Sequence, residues 1–434
     1  MAIPNWLTLS TESGNSGTTI VVLTADTNTT YNQRSYVFNV ETDNIGKQKQ
    51  VQIIQNASGA DDYSKDYLTF EIISGGTIKL GLANLYYSKN GGEWTPLTHS
   101  HSINVQAGDE IEWKGDGTHT TGDPSIFSGG TAYFNVYGNI ASLRRMDNFQ
   151  GVTEMDEHNV CDYWYCFLNT NVVDAGDLIL PYTKLNEACY QGLFANCKKL
   201  IKAPVLPATV MAESCYQSMF SNCSSLTIAP ELPATVLAES CYHQMFWKCT
   251  SLTTPPTISG NKMETLSCYA MFSGCTSLTT APALPATTLG EQCYFDMFLG
   301  CRNLTTAPNL PATMLADECY RRMFANCTAL ENPPTVSAVV LASGCCRDMF
   351  IECSNLKKSP DLLAPIMEIG CYQGMFQYCS NLKSIKCLAE DFSANKCIEG
   401  WAYAVGGGGT FYKKAGVTWP DGGIPGGWTV IEVY

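Results

Sequence analysis

Cysteine is missing from the first 160 residues, and all 21 cysteines of this 434-residue chain follow after that point. Charge is sparse too, at 15% of residues, and basic groups are the scarcer kind: 26 Lys and Arg against 40 Asp and Glu, a net charge of −14. A nucleic acid or an anionic membrane would repel such a chain, and no Lys/Arg run offsets the balance, so neither is expected as its main partner. Histidine is rare, with five in all, three of them His99, His101 and His119. No cysteine or carboxylate is spaced to complete a tetrahedral set around the His-x-His pair, so no metal site is expected. The opening residues MAIPNWLTLS lack a basic and then apolar leader, and the longest apolar run near them, Ile20 to Leu23, is only a strand's length. Neither a signal segment nor direct membrane insertion is therefore expected. No carboxylate pair, nucleophile–base set, phosphate-binding loop or metal cluster emerges, so no catalytic residue and no cofactor is expected, and the protein reads as a non-enzyme.

What is present is a repeat. Cysteines fall at 197, 223, 249, 275, 301, 327, 353 and 379, always 26 residues apart. A leucine three places later keeps the same step from Leu200 to Leu382, and so does a proline from Pro204 to Pro360. A fixed period of this length predicts a solenoid of one coil per repeat. Within a unit, Met211, Ala212, Cys215, Tyr216, Met219 and Phe220 recur at helix-like spacing behind Thr209, which predicts a three-turn helix. The helix is expected to stop at Asn222, because the residue before the cysteine is Asn196, Asn222, Gly274, Gly300 or Asn326, types that tolerate a left-handed backbone. Leu226 to Leu232 is then a very short strand, since Pro230 limits the amide donors available to a ladder. Strands stack about 4.8 Å apart and helices about 8–10 Å, so such a stack must bend into a horseshoe with the strands inside.

The units CYQSMFSNCSSLTIAPELPATVL and CYFDMFLGCRNLTTAPNLPATML resemble the leucine-rich repeats of the BspA-like group of bacterial surface proteins, marked by a Phe, a Cys and a Leu at this spacing. The resemblance covers roughly residues 150 to 434. It implies an α/β leucine-rich-repeat solenoid on an exported, surface-attached or secreted protein of Bacteroidetes type, adhesive in role.

The same array frames the cysteines. A thiolate catalyst needs a base, and the nearest, His243, is two residues from Cys241 and so faces another side of a helix. Zinc would need a C-x-x-C pair, and there is none. Helices 8–10 Å apart would hold equivalent cysteines beyond the reach of a disulfide, which requires Cα atoms within about 7 Å. The thiols are therefore expected to be small buried hydrophobes stacked in rows.

The cysteine-free head reads as all-β. Residues 1 to 60 offer strands at Trp6–Ser10, Thr18–Ala25, Arg34–Val40 and Val51–Gln55. The set WLTLS, SGTTIVVLTADTN, QRSYVFNV and VQIIQ resembles the second half of a BACON module, a β-sandwich that the resemblance ties to glycan or mucin binding. Trp6 is either a sugar platform or a core tryptophan. Residues 61 to 147 form a second sandwich-like module, with hairpin turns expected at Asn90-Gly91-Gly92 and at Gly115-Asp116-Gly117. The solenoid then runs from 148 to 382, its first unit degenerate with Phe167 in the place of the repeat Phe. Residues 383–434 are a closing cap of one helix, around LAEDFSANKCIEGWAYAV, and terminal strands.

Candidate contact residues follow from where the repeat varies. The two positions after the repeat leucine form a strip through Thr253, Thr254, Thr279, Thr280, Thr305 and Thr306 to Lys357 and Lys358, a polar platform for a glycan or protein. Threonine also simply suits exposed extended positions. On the opposite side, Trp247, Leu299 and Ile351 put large side chains in every second coil, either as a partner patch or as filler between coils. The whole reads as a monomeric, non-catalytic recognition or adhesion protein for an extracellular protein, mucin or glycan. The alternatives are an accessory or catalytic part of a carbohydrate-active system, or a structural surface protein.

Overall fold

A computed structural model of the chain describes residues 66–81, 83–97, 101–119, 126–155 and 163–434, together with four strands nearer the N-terminus. The chain divides into two compact units, Met1–Asp66 and Tyr67–Tyr434. Described residues are mostly β or turn, and α-helix is confined to α1 (Ser142–Arg145).

In the first unit, β1 (Leu7–Ser13) pairs antiparallel with β2 (Thr19–Ala25), and β3 (Arg34–Glu41) pairs antiparallel with β4 (Gln48–Gln55). These are the strands expected from the alternation. Trp6 lies outside the described residues.

The second unit opens with β5 (Leu68–Ser74), β6 (Gly76–Leu80), β7 (Ala83–Lys89), β8 (Thr95–Leu97), β9 (Ser102–Val105), β10 (Glu110–His119), β11 (Phe127–Gly130) and β12 (Tyr133–Asn139). One sheet carries the order β12-β5-β10-β7-β8 and another β11-β6-β9. Phe70 links them, stacked on Phe134 at 4.3 Å and edge-on to Phe127 at 4.8 Å. The expected turn at Asn90-Gly91 is present, with both residues at positive φ (54° and 69°) as a tight hairpin requires. The turn expected at Gly115-Asp116-Gly117 does not form. β10 runs through it with a shift in register, and a side chain at Gly115 would collide with the Leu143 carbonyl.

From residue 163 onward each 26-residue unit is one coil, hydrogen-bonded to the next, but its wall is not the helix expected from the spacing. The amides of Tyr216, Ser218, Phe220 and Asn222 donate to the carbonyls of Cys241, His243, Met245 and Trp247 in the following coil. The intervening Gln217, Met219 and Ser221 donate three residues back, to Ser214, Tyr216 and Ser218. The wall is thus a string of β-turns laddered between coils. Every fourth residue takes a left-handed backbone, as at Ser214, Ser218 and Asn222 (φ 54°, 56° and 61°). Burial follows the same beat: Cys215-Tyr216 in, Gln217-Ser218 half out, Met219-Phe220 in. Two in and two out is a period of four, and over ten residues it is hard to separate from the 3.6 of a helix. Ser, Cys, Tyr, Phe and Asn are moreover weak helix formers.

Opposite this turn wall, each coil has an extended limb, residues 226–237 in the second full unit. Leu226, Ala229, Leu232, Ala234 and Leu237 point inward. Parallel bridges Ile228↔Thr254, Leu232↔Ile258 and Val236↔Lys262 run along it. Both walls are therefore laddered at strand spacing, and the width difference that would bend a helix-and-strand stack is absent. Between the walls a column of phenylalanines runs from Phe194 to Phe376, each ring about parallel to the next and 5.6 to 5.8 Å away.

Both ends are closed. At the first, β12 pairs in parallel with β13 (Asn171–Val172) and β14 (Asp177–Ile179), and Phe127 stacks on Phe167, which stacks on Phe194. The boundary expected between 147 and 148 falls inside this shared sheet and core. At the other end β15 (Lys358–Leu362), β16 (Ser384–Cys387), β17 (Thr410–Lys414) and β18 (Thr429–Val433) form a parallel sheet. The closing helix expected around Trp401 is instead a last turn wall, with Lys396, Gly400 and Ala404 at positive φ. Trp401 stacks on Trp419 at 5.5 Å and its indole N–H donates to the Gly423 carbonyl.

Candidate functional face

The limb turns a broad surface to solvent because its outward positions alternate with the buried ones. In the unit from Thr279, the exposed residues are Thr279, Thr280, Ala283, Pro285, Thr287 and Thr288. The strip of residues after each repeat leucine lies along one border of that surface: Thr253, Thr254, Thr279, Thr280, Thr305, Thr306, Lys357 and Lys358 are all exposed. The chain brings them together in one ladder, with Thr280↔Thr306 a parallel bridge.

Part of this chemistry serves the fold. The Thr253 hydroxyl donates to the Thr227 carbonyl at 3.2 Å, and that of Thr305 to the Thr279 carbonyl at 3.1 Å. Lys357 is held by Glu331 of the preceding coil at 2.6 Å. Thr254, Thr280 and Thr306 sit one residue further on and also face solvent.

The opposite border was not foreseen. Thr209-Val210, Thr235-Val236, Thr287-Thr288, Thr313-Met314, Val339-Val340 and Pro365-Ile366 repeat the pattern of exposed pairs. Val236 and Met314 are 68% and 65% exposed, and the border is aliphatic in five coils, at 210, 236, 314, 340 and 366, and polar at Lys262 and Thr288. Reading Thr209 as a helix cap hid it; apolar residues at 210, 236, 314, 340 and 366 were the available signal. Between the borders, coils meet in shallow grooves, one of about 410 Å³ lined by Pro282, Leu284, Pro285, Pro308 and Pro311. Another, of about 440 Å³, is lined by Pro333, Pro334, Pro360 and Leu363 with Lys358.

The other candidates sit on the turn wall, where Trp247, Leu299 and Ile351 are each half-buried. The Lys248 ammonium lies 4.0 Å above the Trp247 ring. Beside them runs a side-chain stack: Gln217 within 3.2 Å of His243, His243 edge-on to Tyr269, Tyr269 stacked on Phe295, and Arg321 over Phe295. Burial lowers the His243 pKa to about 4, leaving a neutral ring at ordinary pH. Asp296 is buried, which raises its pKa to about 6 against the pull of Arg322 and Arg321.

All twenty described cysteines are free and buried. The spacing expected between equivalent thiols, 8–10 Å, does not hold, because the turn wall stacks as a ladder. The row at 197 to 379 also ties neighbouring coils together. Cys223, Cys249, Cys275, Cys301 and Cys327 each donate the thiol to the carbonyl of the phenylalanine 29 residues earlier, at 3.1 Å. Desolvation pushes the Cys249 and Cys301 thiols up to about 12, so they are not nucleophiles. Among the described residues no three His, Cys, Asp or Glu side chains group as metal ligands. His101 is exposed and His99 lies outside the described residues. No described helix is long and apolar enough to cross a membrane.

Nothing among the curated proteins or the solved structures matches the chain. Residues 3–56 match the BACON family model, whose description is "Putative binding domain, N-terminal", and the first unit is thereby consistent with a binding role.

Proposed function

We propose that the protein is an exported, non-catalytic recognition protein that binds an extracellular protein, mucin or glycan through its stacked coils and its N-terminal module. On this reading the coils are a solenoid of the BspA-like leucine-rich-repeat type, with turns in place of the helix. The observation that supports it is the solvent-facing limb surface, repeated coil after coil with no buried reactive group behind it. The BACON match supports a binding role for the other unit as well. The thiols are desolvated, so the array offers shape and surface rather than a nucleophile.

The test is an array of extracellular-matrix proteins, mucins and glycans probed with the full chain and with residues 67–434. Capture by both pieces, lost on replacing Thr254, Thr280 and Thr306 with lysine, is the expected result. Capture by the full chain alone moves the function to the first unit. No capture by either piece would end the proposal.

A further inference from the structure

Of the seventeen exposed large hydrophobic side chains among the described residues, ten lie on the limb surface, including Val205, Val210, Val236, Met314, Val340 and Ile366. Aliphatic groups gathered on one side of a molecule mark a surface that is covered by another. We infer that this surface is covered by a second copy of the chain, packed face to face about a two-fold axis. The inference rests on the reading of the limb as the recognition surface and gives it a resting occupant, which an extracellular ligand displaces, in place of the monomer expected from the sequence.

Charge argues for it. Each copy carries −14 overall, so most approaches between two copies are repulsive. Over the outward limb positions of the seven coils from Ile201 to Ile366, four lysines stand against three carboxylates, and Lys357–Glu331 already pair within the copy. The coil from Thr279 to Thr288 has no charge at its exposed limb positions. This is a side on which two copies meet without a net penalty.

Area argues the same way. Seven coils at about 4.8 Å per step and a limb of about eleven residues at about 3.3 Å each give roughly 1,000 Å² per copy, above the about 800 Å² per partner of a standard stable interface. Both walls of the array are laddered alike, so the surface has no built-in bend to keep two copies apart. A two-fold contact also closes on itself, and it matches one 26-residue period against the same period. A sugar chain is the weaker occupant, because no aromatic ring stands on these outward positions to stack against a pyranose.

Sedimentation velocity of the full chain across the micromolar range tests this. The expected species has twice the mass of the 47.4 kDa chain and tightens with added salt, which screens the overall repulsion. Ala283→Glu and Met314→Glu, both at exposed positions, are each expected to weaken pairing at least about tenfold with an unchanged circular dichroism spectrum. Glu291→Gln, on the turn wall, should leave pairing intact. A chain that stays monomeric throughout the range overturns the inference, and so does a dimer that withstands both charge insertions. A monomer that still captures a glycan or matrix protein, and loses it with Met314→Glu, overturns self-pairing alone. A monomer that captures nothing takes the proposed function down as well.

Discussion

Asp296 shows how a single side chain is strained by its place in the ladder. Its column holds Ser218 and Gln244 in earlier coils and Arg322 and Asp348 in later ones, and burial lifts its pKa from 3.8 to about 6. The folded state therefore holds this proton more tightly than the unfolded chain, and stability falls as pH rises from about 4 through about 6. Asp296→Asn is expected to flatten that part of a plot of Tm against pH and to raise Tm at neutral pH. Asparagine also suits the left-handed backbone there, at φ 55°. An unchanged slope in the variant would show that another group titrates. The cysteines give a second expectation at this scale. With the thiols buried, a native sample should label with a thiol reagent at no more than Cys161, which lies outside the described residues, while denatured protein labels throughout. Rapid labelling of several cysteines in the native state would mean that the coils open.

At the level of elements, the turn wall and the phenylalanine column depend on each other. Each wall turn places residue types such as Ser218, Gln244 and Arg322 in a left-handed conformation that costs an L-residue roughly 1–2 kcal/mol. The hydrogen bonds to the next coil, and the ring and thiol rows behind them, must outweigh that. Phe272→Ala removes a ring stacked on both sides, on Phe246 and Phe298. It is expected to cost about 3–5 kcal/mol in urea denaturation, as large-to-small changes in a packed core do. A loss below about 1 kcal/mol would mean that the column closes up around the gap. How much of this was legible in the sequence differs by element. The coil length was fully legible, because Cys197 to Cys379 and Leu200 to Leu382 mark it without ambiguity. The left-handed backbone at Asn196, Asn222 and Gly274 was legible too, since those residue types tolerate it. The other two left-handed positions of each wall were harder to read: Ser, Gln, Glu and Arg there carry no such signal, and the glycines at Gly192, Gly344, Gly370 and Gly374 mark only some coils. Apolar pairs four residues apart fit two structures, and only the hydrogen bonds between coils separate them. The threonine strip could be read from the variation after each leucine. Its aliphatic counterpart at Val236 and Met314 was lost once that stretch was assigned to a helix start.

For the molecule as a whole, the decisive fact is where the array begins. β12 supplies the ladder partner of the first coil, and Phe127 supplies the first ring of the column that ends at Phe376. A piece starting at residue 67 is expected to be soluble and to unfold in one transition. One starting at 148 exposes a hydrogen-bonding edge and the face of Phe167, and is expected to aggregate. Gel filtration of the two pieces decides it, and equal behaviour would mean that the β-strands before residue 148 are dispensable to the array.

The uniform step between coils also bears on how such a gene can change. Contacts between coils join positions 25, 26, 27 or 29 apart, so a whole unit such as 253–278 is surrounded by near-copies of itself. Deleting or duplicating it by slippage would bring equivalent edges together, and the reading frame of the fold would survive. Length is then the easiest property for mutation to adjust, and natural variants of the chain would be expected to differ by multiples of one unit.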